Sequence, residues 1–144
     1  MINDILKLMR IEQYVKNLFI FAPIFFSFQF TLINFINSMI TFILFSLMAS
    51  AVYIINDICD LEADKRHPEK KMRPIASNSV SIIQAYYVFS VICAISLVGG
   101  YIFNIAILYI LSIYLIINIL YSIILKSIPI IDIIIIGIGF VLRI

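Results

Sequence analysis

The sequence has few charged residues, and this scarcity excludes a soluble globular domain. Only 12% of its 144 residues are charged, whereas soluble domains carry about 25%. The hydrophobic fraction is 64%, and the mean hydropathy is +1.16. Tryptophan is absent, and the net charge of +2 comes with no signature of nucleic-acid binding. The composition therefore predicts an integral membrane protein.

Cysteine and histidine are also scarce, which limits the chemistry that the chain can support. Cys59 and Cys93 are far apart and show the spacing of neither a disulfide framework nor a metal site. The single histidine, His67, has no second histidine nearby, so a metal role for it is not indicated. Any metal in this protein is expected to be held by oxygen ligands.

Charge is missing altogether from two long stretches, and their lengths set the number of membrane crossings. Residues 17–56 form 40 uncharged positions and residues 74–125 form 52, while one crossing helix needs about 20. Each stretch therefore accommodates two spans, and helices are favoured over buried strands at this length. We place the spans near residues 18–33, 35–55, 82–103 and 105–125, with turns at residues 31–37 and near Asn104.

A fifth apolar segment, residues 130–144, ends the sequence. Its 15 residues are too few to cross a bilayer as a helix. We therefore expect the chain to be the N-terminal part of a longer protein. The fold class predicted is all-α: a polytopic transmembrane helix bundle in a single integral-membrane domain that is incomplete at its C-terminus.

Lysine and arginine occur in three segments, and their positions predict the topology. They precede the first span, lie between the second and third spans, and follow the fourth, at Lys126. Four crossings put these segments on one side, which the positive-inside rule assigns to the cytoplasm. We expect a catalytic loop, residues 56–81, to face the cytoplasm. The membrane is expected to be the bacterial inner (plasma) membrane.

Ten of the 18 charged residues lie between residues 56 and 73, and the carboxylates among them are regularly spaced. Asp57, Asp60 and Asp64 are three and four residues apart, so they fall on one helical face with Asn56 at its edge. Oxygen ligands of this kind suit Mg²⁺ bound with a phosphate ester or diphosphate. The alternative is an ordinary mixed-charge loop of a membrane protein.

These residues resemble a known family, the UbiA superfamily of intramembrane prenyltransferases. The match to its first aspartate-rich motif is Asn56-Asp57-x-x-Asp60-x-x-x-Asp64, followed by Arg73-Pro74-Ile75-Ala76-Ser77. Two further patterns are similar to the decaprenyl-phosphate phosphoribosyltransferase branch: His67-Pro68-x-Lys70-x-x-Arg73-Pro74 and Arg10-x-x-Gln13-Tyr14-x-Lys16-Asn17. One departure is Asn78, where the family usually has glycine. Asparagine tolerates the left-handed conformation, so we expect the turn to survive.

The resemblance implies a nine-helix bundle, of which this chain is the N-terminal part, and a specific reaction. The reaction is Mg²⁺-dependent transfer of a phosphoribosyl group from phosphoribosyl pyrophosphate to a polyprenyl phosphate, for cell-envelope polysaccharide synthesis. Asp57, Asp60 and Asp64 are then catalytic and, with Asn56, hold the metal. The implied substrate-binding residues are Lys16, Asn17, Asn56, Lys70, Arg73, Tyr121 and Lys126.

Two other functions remain open at this point. A conventional prenyltransferase of the same superfamily would take an isoprenoid diphosphate and an aromatic or lipid acceptor. A non-enzymatic transport or assembly protein would use the acidic loop to bind a divalent ion, although transporter sites usually lie near the bilayer midplane.

Arg143 adds one expectation: deep in an apolar segment, it should face a polar cavity.

Overall fold

The computed structural model describes residues 2–28, 30–127 and 129–143, and every regular element among them is helical. The α-helices are α1 (Ile2–Met9), α2 (Ala22–Ser27), α3 (Leu32–Cys59), α4 (Leu61–Arg66), α5 (Ile82–Phe103), α6 (Ile105–Ile123) and α7 (Pro129–Val141). A 3₁₀ helix, Ile11–Phe21, joins α1 to α2, and single 3₁₀ turns occur at Lys70–Met72 and Leu125–Ser127. The all-α prediction is confirmed.

Helix α3 is the central helix of the bundle. It contacts α1, the 3₁₀ helix, α5 and α6. Its middle residues form the core because Phe45, Met48 and Ala51 are fully buried or nearly so. Helices α3, α5 and α6 are each long and apolar enough to cross a membrane. The chain is therefore an integral membrane protein.

The 3₁₀ helix runs antiparallel to α3, and side-chain contacts fix their register. The paired residues are Arg10 with Asp57, Tyr14 with Ser50, Asn17 with Ser46, and Phe21 with Phe42. From Arg10 to Phe21 the chain advances about 22 Å at the 2.0 Å rise of a 3₁₀ helix. From Phe42 to Asp57, α3 also advances about 22 Å at a rise of 1.5 Å per residue. Because the two lengths agree, polar partners meet along the whole pass.

The reversal before α3 lies earlier than the sequence suggested. The turn was placed at residues 31–37 because Asn34 and Asn37 were taken as turn formers, but both lie inside α3. Phe28 instead adopts a left-handed conformation with φ 55°, and the Thr31 side chain accepts a hydrogen bond from the Asn34 backbone N–H at 3.2 Å. Thr31 therefore caps the start of α3. The helical segment that precedes α3, which was predicted at residues 18–33, comprises residues 11–27.

The α5–α6 hairpin begins and turns at the positions given by the sequence. Ser81 and Gln84 form a reciprocal capping box at the start of α5, and the Asn104 side chain accepts from the Ala106 N–H at 2.8 Å. Gly100 allows close approach of the two helices, since a Cβ there would lie 3.2 Å from the backbone of Leu108. The bounds of α5 coincide with the third predicted span, and α6 ends two residues before the fourth.

Residues 56–81, which were expected to form a loop, are largely ordered into short helical pieces. Helix α3 continues to Cys59, α4 follows almost directly, and a compact turn links Arg73 to α5. The Asn78 backbone is left-handed, with φ 60°. The turn therefore forms with asparagine at this position, as expected from the sequence. These pieces close one end of the bundle.

Candidate functional site

Three aspartates lie at the end of the bundle where α3 passes into α4. Asp57 is in the last turn of α3, Asp60 is at the junction, and Asp64 is in α4. The Asp60 N–H donates to Asn56 O at 2.9 Å in the last turn of α3, and the Asp64 N–H donates to Asp60 O at 2.8 Å in the first turn of α4, so the two helices meet at Asp60. Asp57 and Asp64 are each only 2% exposed. These two aspartates therefore both face the interior of the protein.

Each aspartate contacts a cation that is distant in sequence or on a different element. Arg10 Nη2 donates to Asp57 Oδ1 at 2.5 Å. Arg73 Nη1 bridges two carboxylates, at 3.1 Å from Asp57 Oδ1 and 2.6 Å from Asp64 Oδ2. Lys126, just beyond α6, pairs with Asp60. These six side chains, which we call the charge cluster, sum to zero charge.

Arg10 is a member of the charge cluster that the sequence analysis did not assign to the site. It occupies the junction of α1 and the 3₁₀ helix with φ 51°, a conformation that is uncommon for residues other than glycine. Its guanidinium also lies over the Tyr53 ring, 5.0 Å from the centroid. Leu8, two residues earlier, is fully buried against the core of Ile54 and Ile75. The docking of α1 thus positions Arg10, and the only signal in the sequence was its place in the quoted N-terminal motif.

Arg73 is presented by the compact turn that precedes α5. Its carbonyl accepts from the Ser77 N–H at 2.9 Å, and the Pro74 carbonyl accepts from the Val80 N–H at 3.0 Å and from the Ser79 hydroxyl at 3.1 Å. Ile75, Ala76 and Val80 of this turn are buried, which ties the turn to the core. The Arg73 side chain itself stays partly exposed, at 23%. It reaches the aspartates from the edge of the bundle.

The fit of this site to Mg²⁺ can be tested on the carboxylates themselves. Among the described residues, no group of three or more Asp, Glu, His or Cys side chains is arranged to hold a metal ion. Asp57 and Asp64 nevertheless flank one position, because both contact the same Arg73 nitrogen, which places their bonded oxygens less than about 6 Å apart. Mg²⁺ in phosphate-binding sites needs only one or two carboxylates, with waters and phosphate oxygens as the other ligands. The pair therefore fits Mg²⁺.

The other two predicted metal ligands point elsewhere. The carboxylate of Asp60 is directed to Lys126, and the side-chain oxygen of Asn56 accepts from the Ser122 hydroxyl of α6 at 3.3 Å. The four-residue ligand set of the sequence analysis is thus not assembled as a unit in this structure. Asp60 is paired with Lys126, and Asn56 is tied to α6.

Among the remaining predicted residues, those of the loop lie at the exposed rim. Lys70 is exposed in the 3₁₀ turn beside the cluster. His67 Nδ1 accepts from the backbone N–H groups of Glu69 and Lys70, at 3.2 and 3.3 Å. The histidine therefore shapes the loop, which is the ordinary reading of a single loop histidine.

A second group of predicted residues faces a cavity of about 180 Å³ deeper in the bundle. Lys16 and Tyr121 line it, and Lys16 is about 12 Å along the 3₁₀ helix from Arg10. Arg143 lines the same cavity, so the expectation of a polar cavity for this residue is confirmed. Tyr53, whose ring contacts the Arg10 guanidinium, also lines this cavity, so the cavity adjoins the charge cluster.

Asn17, which was predicted to bind substrate, is 1% exposed and has both ends of its amide engaged. The Asn17 NH₂ group donates to Ser46 Oγ at 2.9 Å, and its oxygen accepts from Arg143 Nε at 2.8 Å. Arg143 also donates to the Gly139 carbonyl at 2.8 Å. The contacts give Asn17 a packing role between the first pass and Arg143. The side chain of Asp132 lies outside the described residues.

Several known proteins resemble this chain over nearly its whole length. Residues 18–144 match the sequence profile of the UbiA prenyltransferase family. Decaprenyl-phosphate phosphoribosyltransferase of Corynebacterium glutamicum is 31% identical over 98% of this chain, and that of Mycobacterium tuberculosis is 30% identical over 99%. The Sinorhizobium fredii protein y4nM is 34% identical over 99% of this chain. The chain spans 44%, 49% and 28% of the lengths of these three relatives, respectively.

Proposed function

Because this chain belongs to the UbiA prenyltransferase family, we propose that it forms the aspartate-bearing half of a phosphoribosyltransferase. The reaction proposed is transfer of a phosphoribosyl group from phosphoribosyl pyrophosphate to a polyprenyl phosphate. The observation that carries it is the charge cluster: buried carboxylates and partly exposed cations side by side at one end of a membrane helix bundle. Two relatives that cover nearly the whole chain carry the name of this activity.

The residues of the charge cluster have the chemistry that this reaction needs. When bound at Asp57 and Asp64, Mg²⁺ supplies positive charge for the departing diphosphate. Arg73, which contacts Asp57 and Asp64, and Lys126, which pairs with Asp60, bind phosphate oxygens, and Lys70 does so from the rim. Positioning and electrostatic stabilisation then account for most of the lowered barrier.

The bonds of the reaction balance without a general base. An oxygen of the acceptor phosphate forms a bond to the anomeric carbon of the ribose as the bond from that carbon to the diphosphate breaks. The diphosphate leaves with the bonding electron pair, and the attacking oxygen is already an anion. This agrees with the absence of a suitably placed histidine in the described cluster, where His67 only contacts its own loop.

The membrane geometry fits these two substrates. The charge cluster lies at one end of the bundle, where a water-soluble donor enters, while apolar helix faces are available to a lipid tail. We propose that this end faces the bacterial cytoplasm, following the positive-inside rule, and that the product serves cell-envelope polysaccharide synthesis.

The proposal is tested by substituting Asp64, with Glu62 as the matched control. Both carboxylates lie on α4, but Glu62 is 75% exposed and pairs with Lys65 in the same helix, whereas Asp64 is buried in the charge cluster. In membranes containing the full-length protein, transfer of radiolabel from phosphoribosyl pyrophosphate to polyprenyl phosphate should require Mg²⁺. Asp64→Asn should lower the rate at least about 100-fold, the usual scale for losing one electrostatic contribution, and Glu62→Gln should leave it near wild type. Metal-independent transfer, or equal rates in the two variants, contradicts the assignment.

Membership of a prenyltransferase family supports one second candidate, a prenyltransferase with an isoprenoid diphosphate as donor. The same charge cluster would then hold the diphosphate of the isoprenoid. Labelled isoprenoid diphosphate with aromatic acceptors, supplied to the same membranes, separates the two. Incorporation from this donor, with none from phosphoribosyl pyrophosphate, would replace the first proposal.

A further inference from the structure

Arg73 occupies the position between Asp57 and Asp64 where a metal ion would be held. A single nitrogen of this residue contacts both carboxylates, at 3.1 and 2.6 Å. A Mg²⁺ ion placed to bind the same two oxygens would require that nitrogen to leave, because a cation and a guanidinium cannot share the position. The aspartate pair in this structure is therefore closed to a metal ion by a group of the protein itself.

The charge of the cluster acts in the same direction. Asp57, Asp60 and Asp64 are matched by three cations, so no net negative charge attracts a divalent ion. A phosphate anion changes this balance, since a guanidinium binds phosphate oxygens through two parallel hydrogen bonds. When Arg73 turns from the carboxylates to a phosphate, both aspartates lose a cation partner and the position between them opens.

Arg10 and Arg73 differ in how firmly they are held, and this difference identifies the residue that exchanges. The Arg10 guanidinium contacts the Tyr53 ring and follows the fully buried Leu8 of α1. Arg73 follows a run of exposed residues, 65–72, and its guanidinium donates hydrogen bonds to the two aspartates. Arg10 is thus built to remain on Asp57, whereas Arg73 can move without breaking other described contacts of its head group.

We propose that Arg73 couples the binding of the metal to the binding of the phosphate anion: it blocks the aspartate pair when no anion is present and transfers to the anion when one arrives. This inference rests on the proposed function, because it concerns the same site. Metal alone then binds weakly, and metal with a diphosphate binds strongly. The arrangement keeps the site from being filled by divalent ions in the absence of donor.

The experiment measures Mn²⁺ binding by electron paramagnetic resonance to the full-length protein in lipid nanodiscs, with and without inorganic pyrophosphate. The manganese–pyrophosphate equilibrium without protein is measured in parallel. Wild type is compared with Arg73→Gln and with Lys71→Gln, which removes the same charge from an exposed residue two positions away that has no ion pair among the described residues.

For wild type and Lys71→Gln, pyrophosphate should strengthen Mn²⁺ binding at least about tenfold. For Arg73→Gln, Mn²⁺ alone should bind at least about tenfold more tightly than to wild type, because a cation next to both ligands is gone. The gain from pyrophosphate should shrink accordingly. Unchanged Mn²⁺ affinity in Arg73→Gln, an equal gain in Lys71→Gln, or no Mn²⁺ binding in any variant overturns the inference.

Failure of this inference is distinguishable from failure of the proposed function. If wild type transfers phosphoribosyl label in a metal-dependent manner but Arg73→Gln has wild-type affinity for Mn²⁺, only the coupling role of Arg73 is wrong. If coupling is observed with pyrophosphate while no phosphoribosyl transfer occurs, the coupling stands and the donor is a different diphosphate.

Discussion

Substitution of Arg10 by glutamine tests whether the charge cluster also stabilises the fold. The change removes the 2.5 Å contact to Asp57, a carboxylate that is 2% exposed, and the contact with the Tyr53 ring. Breaking a buried ion pair by removing one partner costs about 3–5 kcal/mol. Asp57 keeps its contact with Arg73 at 3.1 Å, and the Arg10 side chain is 22% exposed. We therefore expect the free energy of unfolding to fall by less than this, about 2 kcal/mol.

The assay is thermal unfolding of the full-length protein in detergent, followed by circular dichroism because this chain has no tryptophan to report its unfolding. Lys65→Gln is the matched control: it removes one positive charge from an exposed pair with Glu62, for which we expect a change below about 0.5 kcal/mol. At about 2–4 °C per kcal/mol, the expected loss for Arg10→Gln lowers the melting temperature by about 4–8 °C.

A double-mutant cycle identifies the cause of that loss. Adding Asp57→Asn to Arg10→Gln removes the carboxylate that was left short of a partner. The double variant should therefore lose about 1–3 kcal/mol less free energy of unfolding than the two single losses added together. Additive effects, or an Arg10→Gln variant no less stable than Lys65→Gln, would refute the reasoning and leave Arg10 as a surface residue.

Two further predictions concern backbone positions. Gly100→Ala should destabilise the full-length protein by about 1 kcal/mol, because the new methyl would lie 3.2 Å from the Leu108 backbone and α6 would have to shift. Gly137→Ala is the control, because there is open space around the new methyl. The melting temperature should fall for Gly100→Ala and not for Gly137→Ala. At the left-handed position 78, Asn78→Gly should be neutral or stabilising and Asn78→Val should cost about 1–3 kcal/mol, and equal melting temperatures for these two variants would contradict a strained turn.

Much of the candidate site was predictable because its spacing is local. Asp57, Asp60 and Asp64 were expected on one face because of helical periodicity alone. The structure brings Asp57 and Asp64 together on Arg73, although α3 ends before Asp60. Arg73 was also named in advance, whereas Arg10 was missed. Pairs separated by 47 or 66 positions leave no periodic trace in a single sequence.

The sequence by itself determined that this protein is a bundle of membrane helices with its charges gathered at one end, because uncharged length and lysine and arginine positions count the passes. Only the tertiary structure decided that the first pass is a 3₁₀ helix and that Thr31, rather than Asn34 or Asn37, begins α3. It also decided which cation neutralises which aspartate. These features depend on the register in which helices pack, and that register is set by contacts between segments whose spacing along the chain does not encode it.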